Sequence, residues 1–66
     1  MEITANGESF TLEPETALRD FVEARGLALE RVIVERNGEA LTPTEARSVV
    51  LQPDDTLEIV RIVAGG

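Results

Sequence analysis

Apolar and polar residues alternate along the first dozen positions of the chain, and the alternation folds back on itself at Asn6-Gly7. Asn-Gly is the strongest short signal for a two-residue hairpin turn, because both central positions of a type I′ turn need positive φ. A loop of that length sets Ala5 against Glu8, Ile3 against Phe10 and Met1 against Leu12. The large apolar pairs then share one face, and Glu2, Thr4, Ser9, Thr11 and Glu13 take the other.

After Pro14 the period changes. Leu18, Phe21 and Val22 stand at i, i+3 and i+4, which predicts a helix over residues 17–25 with that stripe buried. Thr16 is in place to cap its start. Gly26 suits the left-handed position past its end, where Leu27 can fold back. Arg19, Asp20, Glu23 and Arg25 fall mostly on the wet side.

A second hairpin follows. Arg31-Val32-Ile33-Val34-Glu35 reads as a strand, Asn37-Gly38 as its turn and Glu39-Ala40-Leu41 as the return. Val34 then faces Leu41 on the core side with Val32, and Ile33 points the opposite way. Thr42 to Arg47 reads as a capped single helical turn, with Pro43 barring a longer strand. Val49-Val50-Leu51 fits either a short edge strand or a buried crossing segment. Gln52-Pro53-Asp54-Asp55-Thr56 reads as a turn, the paired aspartates being turn residues rather than metal or acid chemistry. Leu57-Glu58-Ile59-Val60-Arg61-Ile62, rich in β-branched residues, is the last strand.

That strand needs an open edge. Placed parallel to the first strand, between the hairpins, it completes one sheet crossed on one face by the helix. The expected fold is α+β, a β-grasp with a mixed four- to five-stranded sheet and one helix. Its core would hold Ile3, Phe10, Leu12, Leu18, Phe21, Val22, Val32, Val34, Leu41, Leu57 and Ile59. Alternation then turns Glu58, Val60 and Ile62 outward on the face that carries Ile33. Apolar residues clustered there, rimmed by acids, read as a docking patch.

Composition narrows the chemistry. Sixty-six residues make a single small domain. There is no cysteine and no histidine, so thiolate metal sites, disulfides and the usual general base are excluded. A chain that catalyses alone is not expected, and Ser9 and Ser48 have no histidine to activate them. A net charge of −7 repels phosphate backbones and anionic membranes, so neither nucleic acid nor membrane is an expected partner. No signal peptide or apolar span is legible, which makes the cytoplasm the expected location.

The last strand leads into Val63-Ala64-Gly65-Gly66. Residues 1–63 read as the domain and 64–66 as a flexible tail. Glycines lack side chains and accept almost any backbone angle, so such a tail can enter a narrow channel and present the Gly66 carboxylate there.

Taken over its whole length, the chain resembles the ubiquitin-like sulfur carriers of the MoaD/ThiS family, most closely the ThiS members of thiamine biosynthesis. The resemblance rests on the Asn6-Gly7 hairpin, the single helix, Val32-Ile33-Val34 with Asn37-Gly38, Pro43, and the run from Asp55-Thr56-Leu57 to the diglycine. It implies a carrier rather than an enzyme, with no cofactor bound. A ThiF-type adenylyltransferase would use ATP and Mg to adenylate Gly66. Sulfur supplied through a cysteine desulfurase would convert it to a thiocarboxylate, and the thiazole synthase ThiG would receive that sulfur. Ala64 and Gly65 would thread the channel. MoaD-like delivery to molybdopterin, tRNA thiolation and a ubiquitin-like interaction or conjugation module remain as alternatives.

Overall fold

A computed structural model of the protein describes residues 1–63. Five strands form one mixed sheet: β1 (Glu2–Ala5), β2 (Glu8–Thr11), β3 (Val32–Arg36), β4 (Glu39–Ala40) and β5 (Thr56–Arg61). Their order is β2-β1-β5-β3-β4. The last strand therefore lies between the two hairpins, parallel to β1 and antiparallel to β3. The expected β-grasp arrangement is present.

Both hairpin turns take the expected geometry, with φ of 50° and 81° at Asn6 and Gly7 and 52° and 86° at Asn37 and Gly38. The register follows: Ile3 opposes Phe10, Ala5 opposes Glu8, and Leu12 N donates to Met1 O at 2.7 Å. In the second hairpin Leu41 N donates to Val34 O at 2.9 Å.

Helix α1 (Leu18–Ala24) buries Leu18, Phe21 and Val22. Its end is a Schellman motif: Gly26 at φ 79° donates to Glu23 O, and Leu27 N reaches Val22 O. Its start differs from the sequence reading. Thr16 is not the cap, since its hydroxyl donates to Glu13 O at 2.7 Å, and Ala17 occupies the N-cap with no side-chain bond. The crossing segment takes over that role. Leu18 N donates to Val49 O at 3.0 Å and Leu51 N to Thr16 O at 2.9 Å. Both readings left open for residues 49–51 hold in part: Leu51 is buried and Val49 half-buried, whereas Val50 is exposed and forms a single antiparallel bridge with Ala17.

The single capped turn is a second helix, α2 (Pro43–Ser48), so the sheet carries two short helices rather than one. Thr42 and Glu45 form a capping box, with Glu45 N donating to Thr42 Oγ1 at 3.1 Å and Thr42 N to Glu45 Oε1 at 2.8 Å. A 3₁₀ turn (Leu29–Arg31) precedes β3.

Ile3, Leu18, Phe21, Val22, Val34 and Leu57 are buried, and Phe10, Leu12, Val32, Leu41 and Ile59 pack partly buried around them. Ala5, Leu29, Ala46 and Leu51 also belong to the core. Arg25, expected on the wet side, lies over Phe10 and Phe21, its guanidinium carbon 4.7 and 4.6 Å from the ring centroids. The two rings meet edge to face at 5.1 Å. The cation thus covers an aromatic pair that the thin helix layer leaves partly open.

Candidate functional site: the outer face of the central strands

The β5 strand is held on both sides by main-chain pairing and at two points by side chains. Asn6 continues the β1 ladder where that strand turns away: its Nδ2 donates to Ile59 O at 3.0 Å and its Oδ1 accepts from Ile59 N at 2.7 Å. Asn37 holds the start of β5, its N–H donating to Thr56 O at 2.7 Å and its Oδ1 accepting from Thr56 N at 2.9 Å.

Asp55 anchors the same point and is more than a turn residue. It is 4% exposed. Its Oδ2 accepts from Arg36 Nε at 2.9 Å and from Gln52 N at 2.8 Å, and its Oδ1 accepts from Asn37 Nδ2 at 3.0 Å. Burial pushes this carboxyl up, but the Gln52 N–H, the Asn37 amide and the Arg36 guanidinium outweigh it and hold the group below the ordinary aspartate range. Asp54 remains a turn residue, left-handed at φ 68° after Pro53. Sequence reasoning missed Asp55 because its three donors come from positions far apart or from the backbone.

So fixed, β5 presents its alternate residues outward. Ile33 lies directly opposite Val60, and Glu35 directly opposite Glu58. Ile62 N donates to Arg31 O at 2.8 Å, which carries the pairing one step further. Ile33, Val60 and Ile62 are 52%, 59% and 54% exposed, and Val63 is 85% exposed. The structure therefore brings Ile33, Glu58, Val60 and Ile62 onto one face, as the alternation indicated.

One neighbour of this patch was not singled out from sequence, Glu35. Counting two residues on from Ile33 was enough to put Glu35 on the same face. Like charges directly opposed across a strand pair are unfavourable, so the Glu35–Glu58 pair is not explained by fold stability. A shallow groove lined by Leu29, Val32, Val34, Leu41, Pro43 and Ile62 opens beside the patch.

Ala64, Gly65 and Gly66, the tail expected to carry the chemistry, lie outside the described residues. Among the described residues there is no cluster of potential metal ligands, and no helix is long and apolar enough to cross a membrane.

Known proteins match this arrangement along the whole chain. The crystal structure of the thiamine biosynthesis protein ThiS from Geobacter metallireducens superposes with a TM-score of 0.78 at 29% identity, covering 100% of both chains. A solution structure of a thiamine biosynthesis protein from the same organism gives 0.74 at 28% identity, over 100% of this chain and 88% of that one. A protein named thiazole synthase from Magnetococcus marinus is 39% identical over all 66 residues, and the chain spans 20% of that protein's length. The ThiS family model matches residues 1–66. With that match running from the first hairpin through the diglycine, the chain belongs to the ThiS family.

Proposed function

We propose that the protein is a sulfur carrier whose Gly66 is converted to a thiocarboxylate that donates sulfur for thiazole formation in thiamine biosynthesis. The observation that carries this reading is the family match through Gly65-Gly66, joined to a central strand that ends beside an exposed apolar patch.

The chemistry suits a chain without cysteine or histidine. A carboxylate is a poor acyl donor, so its oxygen first attacks the α-phosphorus of ATP in a ThiF-type adenylyltransferase, with pyrophosphate leaving. A persulfide sulfur, supplied through a cysteine desulfurase, then attacks the acyl carbon and expels AMP. A second thiol cleaves the resulting acyl disulfide, leaving the thiocarboxylate and a disulfide on the partner. In this scheme ATP and Mg belong to the activating enzyme, and the carrier supplies one carbon and a surface that partners recognise.

Ile33, Val60 and Ile62 form the centre of that surface, and Glu35 and Glu58 favour a partner with basic residues around an apolar pocket. Gly65 and Ala64 pass through the channel to the active site. A segment resembling this chain within a protein named thiazole synthase supports thiazole synthase as the acceptor.

The test is intact mass. Incubated with a ThiF-type enzyme, MgATP and a sulfur source, the chain should gain the mass difference between sulfur and oxygen, and a chain lacking Gly66 should not. Equal gain by the shortened chain would overturn the reading. Sulfur passed to a molybdopterin precursor or tRNA instead of thiazole synthase would reassign the acceptor, and an amide formed on a lysine would make the chain a conjugation module.

A further inference from the structure

Both asparagines of the chain precede a glycine, Asn6-Gly7 and Asn37-Gly38. Asparagine is thermolabile, and most so before glycine, where no side chain obstructs attack by the next backbone nitrogen on the asparagine amide carbon. Each of these asparagines also uses its amide to hold β5. The two differ in what the amide faces.

Asn6 Nδ2 faces the neutral carbonyl of Ile59. Asn37 Nδ2 faces a carboxylate, Asp55 Oδ1, at 3.0 Å. Asp55 is buried, and its other oxygen is already taken by Arg36 and Gln52. Gly38 is exposed, its N–H has no hydrogen-bond partner among the described residues, and a Cβ built on it would meet nothing within 4 Å. The nucleophile is therefore free, and the amide that it attacks is the latch.

We propose that Asn37 is a site of spontaneous deamidation whose product releases the start of β5. The Gly38 nitrogen gives up its proton to hydroxide and forms a bond to Asn37 Cγ. The Cγ–Nδ2 bond breaks, and the nitrogen leaves as ammonia after taking a proton from water. Water then opens the cyclic imide at either carbonyl, giving an aspartyl residue or its β-linked isomer. No oxidant or enzyme is required.

In the aspartyl product an anionic oxygen replaces the donor that lay 3.0 Å from Asp55 Oδ1. Two carboxylates at such a separation cannot both stay ionised without cost. The β-linked product adds a backbone atom to a two-residue turn whose register is set by Glu35–Ala40 and Arg36–Glu39. Attack also requires the Asn37 amide to leave Thr56 and Asp55, so the rate reports local opening of this end of β5. The inference is independent of the carrier reading.

The full chain is held at mildly alkaline pH and moderate temperature, with a peptide spanning residues 35–41 as the reference. Intact mass and peptide mapping should show the amide-to-acid mass change at residue 37, slower than in the peptide. Asn37→Asp should lower the melting temperature by several degrees, and Asn6→Asp by less. Adding Asp55→Asn to Asn37→Asp should recover most of the loss, because the amide and the carboxylate merely exchange places while Oδ1 of the new asparagine serves Arg36 and Gln52. That double variant carries the test if Asn37→Asp alone does not fold. An intact amide at residue 37 after the peptide has fully reacted, or no recovery in the double variant, overturns the proposal.

Discussion

Asn6 and Ile59, 53 residues apart in sequence, exchange two hydrogen bonds of 3.0 and 2.7 Å, with the asparagine amide standing where the next residue of a strand would be. The turn residue that closes the first hairpin thereby fastens it to the last strand. One side chain performs a local and a long-range task. Asn6→Gly keeps the positive φ of the turn and removes only the long-range pair. It should cost about 1–3 kcal/mol at roughly 1 kcal/mol per hydrogen bond, read as a lower urea midpoint with unchanged slope. A midpoint equal to that of wild type would mean that water replaces the asparagine without loss.

Phe21 is the largest residue on the buried face of α1 and meets both Phe10 and Arg25. Phe21→Ala should cost about 3–5 kcal/mol. A domain of this size has little more stability than that to lose. The expected result is a broad or absent thermal transition at room temperature and above. A cooperative melt only slightly shifted would show that the helix layer can collapse into the cavity.

Val60 sits opposite Ile33 in the exposed face and is outside the buried core. Val60→Asp should leave the fold intact but weaken binding to the activating enzyme tenfold or more, equivalent to about 1.4 kcal/mol per factor of ten. Calorimetric titration alongside thermal melting separates the two effects. Unchanged affinity would remove this face from the proposed interface.

Acid sensitivity should trace to Asp55. Its carboxyl is held below the ordinary value of about 3.9, so its ion pair and hydrogen bonds contribute fully above that pH. The contribution fades as pH falls through the lower folded-state value. Stability should therefore drop on acidification below about pH 4, and Asp55→Asn should flatten that part of the profile while lowering stability at neutral pH. Denaturant melts of both proteins across this range make the comparison.

Gly65→Val tests the proposed channel directly. A β-branched residue stiffens the backbone and adds bulk, so thiocarboxylate formation should slow severely with no change in melting temperature. Pyrophosphate exchange would show whether adenylation itself is lost.

The two hairpins and the facing of every strand were legible in the sequence because their determinants are local, whereas the place of β5 between the hairpins rests on pairing with residues about fifty positions away. Asn6-Gly7 and Asn37-Gly38 set two registers, the period-2 alternation assigned faces, and the stripe of Leu18, Phe21 and Val22 chose the covered side. Ile33, Glu58, Val60 and Ile62 could be placed on one face for the same reason: a strand's side chains alternate wherever the strand lies. Tertiary structure decided what depends on partners distant in sequence. Ala17 needs no capping side chain because the segment from Val49 to Leu51 passes within bonding distance, and no pattern near residue 17 encodes that passage. Asp55 is an anchor rather than a bare turn residue because Arg36, Asn37 and the Gln52 N–H converge on it, and Arg25 lies on Phe10 and Phe21 because the hairpin and the helix end meet there. Local periodicity fixes which way a side chain faces, whereas only the folded chain fixes what it meets.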